Sequence, residues 1–330
     1  MTTGSRLLRT LRRLPGRTQV VGLATVAALL AVTAASAAVS SRVGLVQSAG
    51  DPFLNASVAS LDDTTETVVL GSSHVFCNVR AAEIDSPTVP LAMPNAKQHH
   101  LHQLATAAVD RCPNLKLVLI ETSAVTVLLR TDRLDEFEAE KTRQLDTALG
   151  REPDRLWDRT LQRMRRSPWL APLASRETLT PEWLLNQRAI SQGDRIFEPG
   201  FHGWADTVSL LVGEGENATV HALMNASDAG PGIRDLSETV AMLQKRGVAV
   251  RLLRTPHYPS YATHQSDAMR RAVEEATAAV DAPLWDDFAM PFSREQWFDE
   301  DHLNVVGATA YTATLSDRIA ETLRQTDGAE

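Results

Sequence analysis

Cysteine is almost absent from this 330-residue chain: Cys77 and Cys112 are the only two. That excludes a disulfide-built scaffold and a Cys-rich zinc domain. Lysine is nearly as scarce, with Lys97, Lys116, Lys141 and Lys245 standing beside many arginines. Acidic side chains are missing from residues 1–42, which hold Arg6, Arg9, Arg12, Arg13, Arg17 and Arg42. The formal net charge of −8 therefore hides a split, because the rest of the chain sets 27 basic side chains against 41 acidic ones. A body near −14 lacks the clustered cations that neutralise phosphates, so nucleic acid is excluded as a partner. No internal repeat is visible. The hydrophobic share of 43% and the charged share of 22% belong to a folded globular chain, not to a disordered or fibrous one.

From Val20 to Val39 no residue is charged, and Ala, Val and Leu dominate. A run of about 20 residues can cross a hydrocarbon core roughly 30 Å thick as a helix. Five of the arginines precede it, so residues 1–17 are expected to stay cytoplasmic and the acidic body to be exported. Two readings stand side by side: an uncleaved anchor over residues 18–40, and a signal peptide cleaved after Ala35-Ser36-Ala37. Both place the body outside the cytoplasm. Residues 41–65, rich in Ser, Ala, Asp and Thr, read as a linker.

Beyond it the chain alternates strand and helix patterns. Strands are expected at Thr67–Leu70, Val89–Met93, Leu115–Ile120, Val248–Leu253 and Pro283–Asp286, and helices over 98–111, 235–246, 263–280 and 305–324. Pro90 places the second strand at an edge or makes it start there. This rhythm predicts one α/β domain over residues 66–330, with a mainly parallel sheet between two helical layers. Residues 131–200 interrupt it. They are rich in Arg, Glu, Leu and Trp, with Pro153, Pro168, Pro172 and Pro181 as breakers, and read as a helical insertion, either a lid or an elaborated crossover.

Two short segments carry chemistry. Gly71-Ser72-Ser73-His74 follows the first strand and opens a helix, where a serine hydroxyl meets exposed backbone N–H groups and the positive end of the helix dipole. A simple helix cap explains the same serines. Near the C-terminus stands Asp299-Glu300-Asp301-His302-Leu303-Asn304. An Asp three residues before a His can hold the imidazole through Nδ1 and leave Nε2 to take a proton from a serine. Asp301 or Asn304 capping the last helix is the competing account.

Taken together, these segments resemble the SGNH, or GDSL-type, hydrolase superfamily, whose nucleophile follows the first strand and whose Asp-x-x-His pair precedes the last helix. The resemblance spans about residues 66–325, although its specific motifs cover a dozen positions. It implies Ser73 as nucleophile, His302 as general base and Asp299 as its orienter. It also implies an oxyanion hole built from the Ser73 N–H, Asn95 and Ser123. The last two depart from the family pattern, since Met93-Pro94-Asn95-Ala96 lacks the usual glycine and Glu121-Thr122-Ser123 replaces Gly-x-Asn. Such departures resemble a membrane-anchored branch near alginate O-acetyltransferases and the teichoic-acid D-alanylation protein. The expected activity is an extracytoplasmic serine esterase or O-acyltransferase acting on acyl esters of an envelope polysaccharide or an acylated small molecule. The resemblance implies no cofactor and no metal, with a membrane acyl-donor protein as the partner if the acyl group is transferred. A catalytically inactive glycan-binding or assembly protein on the same fold is the alternative, and a periplasmic solute-binding module a more distant one.

His74, His257 and Tyr258 are the candidates for lining the substrate groove, with Tyr261 beside them. His99, His100 and His102 cluster at a helix start and offer metal-ligand chemistry, which simple solvation accounts for as well. Cys77 and Cys112 can pair if both lie in an exported body. A Gly-x-Ser-x-Gly elbow fails because Val75 takes the second glycine's place. Gly213-Glu214-Gly215-Glu216-Asn217-Ala218 imitates a dinucleotide fingerprint, but its glutamates would face the pyrophosphate.

Overall fold

The computed structural model describes residues 51–128, 134–151, 195–198, 201–204 and 228–328. The basic tail, the Val20–Val39 run and the glycine-rich 213–218 segment lie outside these. Among the described residues no helix is long and apolar enough to cross a membrane.

In chain order the elements are α1 (Asp51–Ala59), β1 (Thr67–Gly71), α2 (Ser73–Asn78), β2 (Thr88–Ala92), α3 (Gln98–Arg111), β3 (Leu117–Glu121), α4 (Ala124–Val127) and α5 (Leu134–Ala148). They continue with β4 (Arg195–Glu198), β5 (Phe201–Trp204), α6 (Gly230–Lys245), β6 (Ala249–Arg254), α7 (Pro259–His264), α8 (Asp267–Ala278), β7 (Leu284–Asp286) and α9 (Val305–Asp327). Five strands form one sheet in the order β2-β1-β3-β6-β7, and every pairing within it is parallel.

The parallel sheet follows from the strand sequences. Thr67-Val68-Val69-Leu70-Gly71 and Leu117-Val118-Leu119-Ile120-Glu121 are buried along their whole length, so neither shows an outward polar face. Their residues still alternate between faces. Val68, Leu70, Val118, Ile120, Val250 and Leu252 join one core with Leu101 and Leu104 of α3, Leu236 and Leu243 of α6, and Met269 of α8. Val69, Leu117, Leu119 and Leu253 are equally buried but belong outside that cluster, as do Tyr311, Leu315 and Ile319 of α9. Pro90 pairs opposite Val69 on β2, an edge strand, where a missing N–H leaves no ladder bond broken.

The chain starts at β1, runs out to β2, then crosses back over β1 to β3. That reversal makes a crevice between the carboxyl ends of β1 and β3, the place where sheets of this kind bind ligands. Gly71 closes β1 there. A methyl group on it would stand 2.2 Å from Val75 Cγ2 and 2.6 Å from Glu121 Oε2. Gly71→Ala should therefore cost roughly 1–3 kcal/mol through overpacking, read as a lower urea midpoint at unchanged slope.

Three expectations change. The stretch read as a linker contains helix α1, whose Leu54 and Val58, with Leu61 beyond it, enter the core. Their spacing of four and three residues is an apolar helical stripe that the surrounding Ser, Ala and Asp obscure. The insertion is helical over 134–148, but 195–198 pairs antiparallel with 201–204. The β5 backbone runs beside α2 and α9. Finally, Cys77 and Cys112 are buried thiols with no disulfide between them. Cys77 sits on α2 beyond the carboxyl end of β1. Cys112 follows α3 before β3 begins, beside Asp62 and Thr65. The two lie at opposite ends of the sheet.

Candidate active site

Ser72 caps α2. Its backbone is extended, at φ −92° and ψ −155°, and its Oγ accepts the His74 N–H at 3.4 Å. Ser73 is thereby the first helical residue, half-buried at the helix's amino end. The cap reading thus holds for Ser72 and leaves Ser73 over.

The carboxylate of Glu121, at the tip of β3, organises this turn. It accepts the Ser72 N–H at 2.5 Å, the Ser72 hydroxyl at 2.9 Å and the Ser123 hydroxyl at 2.6 Å. His74 Nδ1 lies 2.8 Å away. Both Glu121 and His74 are fully buried. Burial opposes charge on each, but mutual attraction and these hydrogen bonds outweigh it. The Glu121 carboxyl is pushed down to about 2, and the His74 imidazole up to about 9, with Asp301 assisting from the other side.

The second half comes from the loop before α9. Trp297 and Leu303 form an antiparallel bridge, and Phe298 N–H donates to the His302 carbonyl at 2.9 Å, so residues 298–302 make a closed turn. Inside it Asp299 Oδ1 accepts the N–H groups of Asp301 (3.1 Å) and His302 (2.8 Å). Both Asp299 oxygens stand 3.0 Å from His302 Nδ1. Asn304 is the helix cap, accepting the Val306 and Gly307 N–H groups at 3.0 and 3.1 Å. Asp299 and His302 thus remain outside the capping interactions.

Asp301 joins the two halves. Its Oδ2 lies 3.3 Å from His74 Nε2, and its Oδ1 lies 3.2 Å from His302 Nδ1. The His74 and His302 rings are 5.5 Å apart between centroids. Leu303 N–H donates to Asn78 Oδ1, the last residue of α2, at 2.8 Å. The structure therefore brings Ser73, His302 and Asp299 to one end of the sheet. His302 is held well above the usual histidine range: burial opposes its charge, and the charges of Asp299 and then Asp301 overcome it. Asp301 is driven well below the carboxylate range, because the His302 charge and the bonds to both imidazoles overcome its burial.

This has a kinetic consequence. A histidine acting as base must be neutral, so the acid limb of kcat/KM should lie above pH 6.5, the ordinary histidine value. Asp301→Asn removes one of the two charges that raise it, and the limb should move to lower pH. A pH profile of ester hydrolysis in EDTA checks this, and an unmoved limb would refute it.

The other expected residues fall as follows. Asn95 has φ 56° and is exposed in the turn after β2, where the Ala96 N–H donates to the Met93 carbonyl at 3.0 Å. The left-handed backbone that a glycine would supply is present. Ser123 lies in the crevice, but its hydroxyl proton goes to Glu121, so the side chain as placed has no proton for an oxyanion. His257 is buried, with its ring 4.7 Å from that of His74 and its Nδ1 2.8 Å from the Thr255 carbonyl. Desolvation, then the His74 charge, pushes it down to about 3, so it is neutral. Tyr258 is half-buried. Its N–H donates to the Glu300 carbonyl at 2.8 Å and its ring meets Trp297 edge-on at 5.7 Å, which ties it to the His302 loop. Tyr261 packs 4.4 Å from His257. The His99 and His100 rings are tilted against each other with centroids 3.9 Å apart, His100 Nδ1 accepts the Lys97 N–H at 3.1 Å, and His102 Nδ1 lies 2.9 Å from the Thr239 hydroxyl of α6.

Sequence reasoning missed Glu121 and Asp301 and gave His74 only a groove-lining role. Glu121 had a readable signal: one acid ending an otherwise apolar strand that feeds the switch point. No protein-family model and no curated protein matches the chain.

Proposed function

We propose that this chain is a serine acyl hydrolase or acyltransferase of SGNH type, in a three-layer α/β/α domain, working outside the cytoplasm on ester-linked acyl groups of an envelope polysaccharide. The observation that carries this reading is the Asp299-held His302 at the same sheet end as Ser73, on a helix that the His302 loop grips through Asn78.

In this reaction Ser73 Oγ attacks the acyl carbonyl and His302 Nε2 takes its proton. Asp299 fixes the ring through Nδ1 and stabilises the imidazolium. The N–H groups of Ser73 and Asn95 receive the oxyanion. His302 then protonates the departing alcohol, leaving an acyl-serine. Water gives hydrolysis, and a sugar hydroxyl gives transfer, by the same steps in reverse order. The apolar run at Val20–Val39 and the arginines before it support the extracytoplasmic placement. A transferase there needs its acyl group delivered through the membrane.

A fluorophosphonate probe tests the assignment. Wild type should label, and Ser73→Ala and His302→Ala should not; equal labelling of all three would remove it. One observation favours a second reading, a non-catalytic glycan-binding protein: the Ser123 hydroxyl is turned to Glu121. That reading predicts no labelling at all and full complementation of a deletion strain by Ser73→Ala.

A further inference from the structure

Three carboxylates, Glu121, Asp299 and Asp301, crowd around two imidazoles, His74 and His302, in the crevice. An acyl-transfer site needs one carboxylate and one imidazole. Glu121, His74 and one of the two aspartates are surplus to that chemistry. His74, Asp301 and His302 each offer one ligand atom, and these atoms all lie within 4.8 Å of one another.

We propose that His74, Asp301 and His302 form a binding site for a divalent transition-metal ion of the zinc class, and that its occupancy withdraws His302 from acyl chemistry. The binding half stands on its own; the inhibitory half rests on the proposed function.

Geometry supports it first. Zinc bonds to nitrogen and oxygen are about 2.0–2.2 Å, which puts neighbouring ligand atoms of a tetrahedron roughly 3.4 Å apart. The 3.3 Å between His74 Nε2 and Asp301 Oδ2 is already that edge. His74 turns its other nitrogen to Glu121 at 2.8 Å, the carboxylate–histidine–metal arrangement that fixes ring and tautomer. Two imidazoles and one carboxylate suit zinc, cobalt or nickel, whereas magnesium and calcium call for oxygen ligands throughout. One coordination position is left for water.

Charge supports it second. Three carboxylates bring three negative charges to the crevice, and a divalent ion held by neutral imidazoles offsets two of them, any proton on a ligating nitrogen passing to solvent. The side chain of His74 is sealed, but those of Asp301 and His302 are 27% and 15% exposed, which gives the ion its approach.

The full chain, stripped with EDTA and dialysed, is titrated with Co2+ and, against a chromogenic chelator, with Zn2+. One equivalent of Co2+ should produce the visible bands of a four- or five-coordinate nitrogen–oxygen site. His74→Asn and Asp301→Asn should each weaken Zn2+ by at least about tenfold. Ser73→Ala and the remote His102→Ala should bind as wild type. Each variant's thermal melt shows that it is folded, and Ser73→Ala keeps the comparison usable if His74→Asn does not fold. No stoichiometric binding, or binding unchanged in both His74→Asn and Asp301→Asn, would overturn the site. Fluorophosphonate labelling separates the two claims. Labelling in EDTA that one equivalent of Zn2+ suppresses supports both. Labelling indifferent to bound Zn2+ refutes the inhibition. No labelling even in EDTA, with metal still bound, refutes the acyl reading and leaves the metal site standing.

Discussion

Ser73→Ala should lower the turnover of p-nitrophenyl acetate by about 10⁴-fold or more, and His302→Ala by a similar factor. Removing both should cost little beyond either single change, because nucleophile and base act as one unit and losing one idles the other. Asp299→Ala should fall less far, since the Ser73 and His302 groups remain. The loss must appear in kcat and not in stability. Ser73 is half-buried at the start of α2, and the bonds that hold the turn belong to Ser72 and Glu121. Ser73→Ala should therefore melt like wild type. A variant that keeps a tenth of wild-type turnover would refute Ser73 as nucleophile. His257 provides an internal control, being buried, neutral and 4.7 Å from His74. Activity that survives in His302→Ala but vanishes in His257→Ala would move the base to the loop after β6.

The sheet was legible because burial on both faces writes itself as unbroken apolar runs, and β1 and β3 consist of little else. The two active-site segments were legible because their roles depend on local spacing. Asp299 reaches His302 within one turn, and Ser73 needs only the strand before it and the helix after it. What failed to show was long-range. Glu121 meets Ser72 across 49 residues, and Asp301 meets His74 across 227. No periodicity encodes such contacts; they arise from β1 pairing with β3 and from the His302 loop closing over α2. Local pattern also misled at α1, where Leu54 and Val58 are too few to reveal a helix among small polar residues. The expected Ser123 donor failed for a local reason: its proton is taken by Glu121, only two residues earlier, where the resembled pattern has a glycine.

Glu121→Gln tests that hidden centre and should destabilise the protein by roughly 3–5 kcal/mol, the usual cost of breaking a buried pair from one side. The amide keeps the shape but cannot accept from the Ser72 N–H, the Ser72 and Ser123 hydroxyls and His74 while bearing charge. The pH dependence distinguishes this from a mere packing defect. His74 is raised from 6.5 to about 9, so the folded state holds a proton that the unfolded state releases. Its contribution is complete below pH 6.5 and is lost as pH rises toward 9. Glu121 is lowered from 4.5 to about 2, so its contribution is complete above pH 4.5 and is lost as pH falls toward 2. Both shifts describe one interaction and are counted once. Wild-type stability, from urea unfolding in EDTA, should thus peak near pH 6.5: it declines toward pH 9 as His74 loses its proton, and it falls below 6.5 because buried His257, pushed down to about 3, stays neutral while the unfolded chain takes up a proton. In Glu121→Gln the alkaline decline should shrink, and what remains belongs to His302, whose two aspartates are untouched. An unaltered slope together with a loss below about 1 kcal/mol, the size of an exposed ion pair, would show that Glu121 and His74 are not the buried pair described.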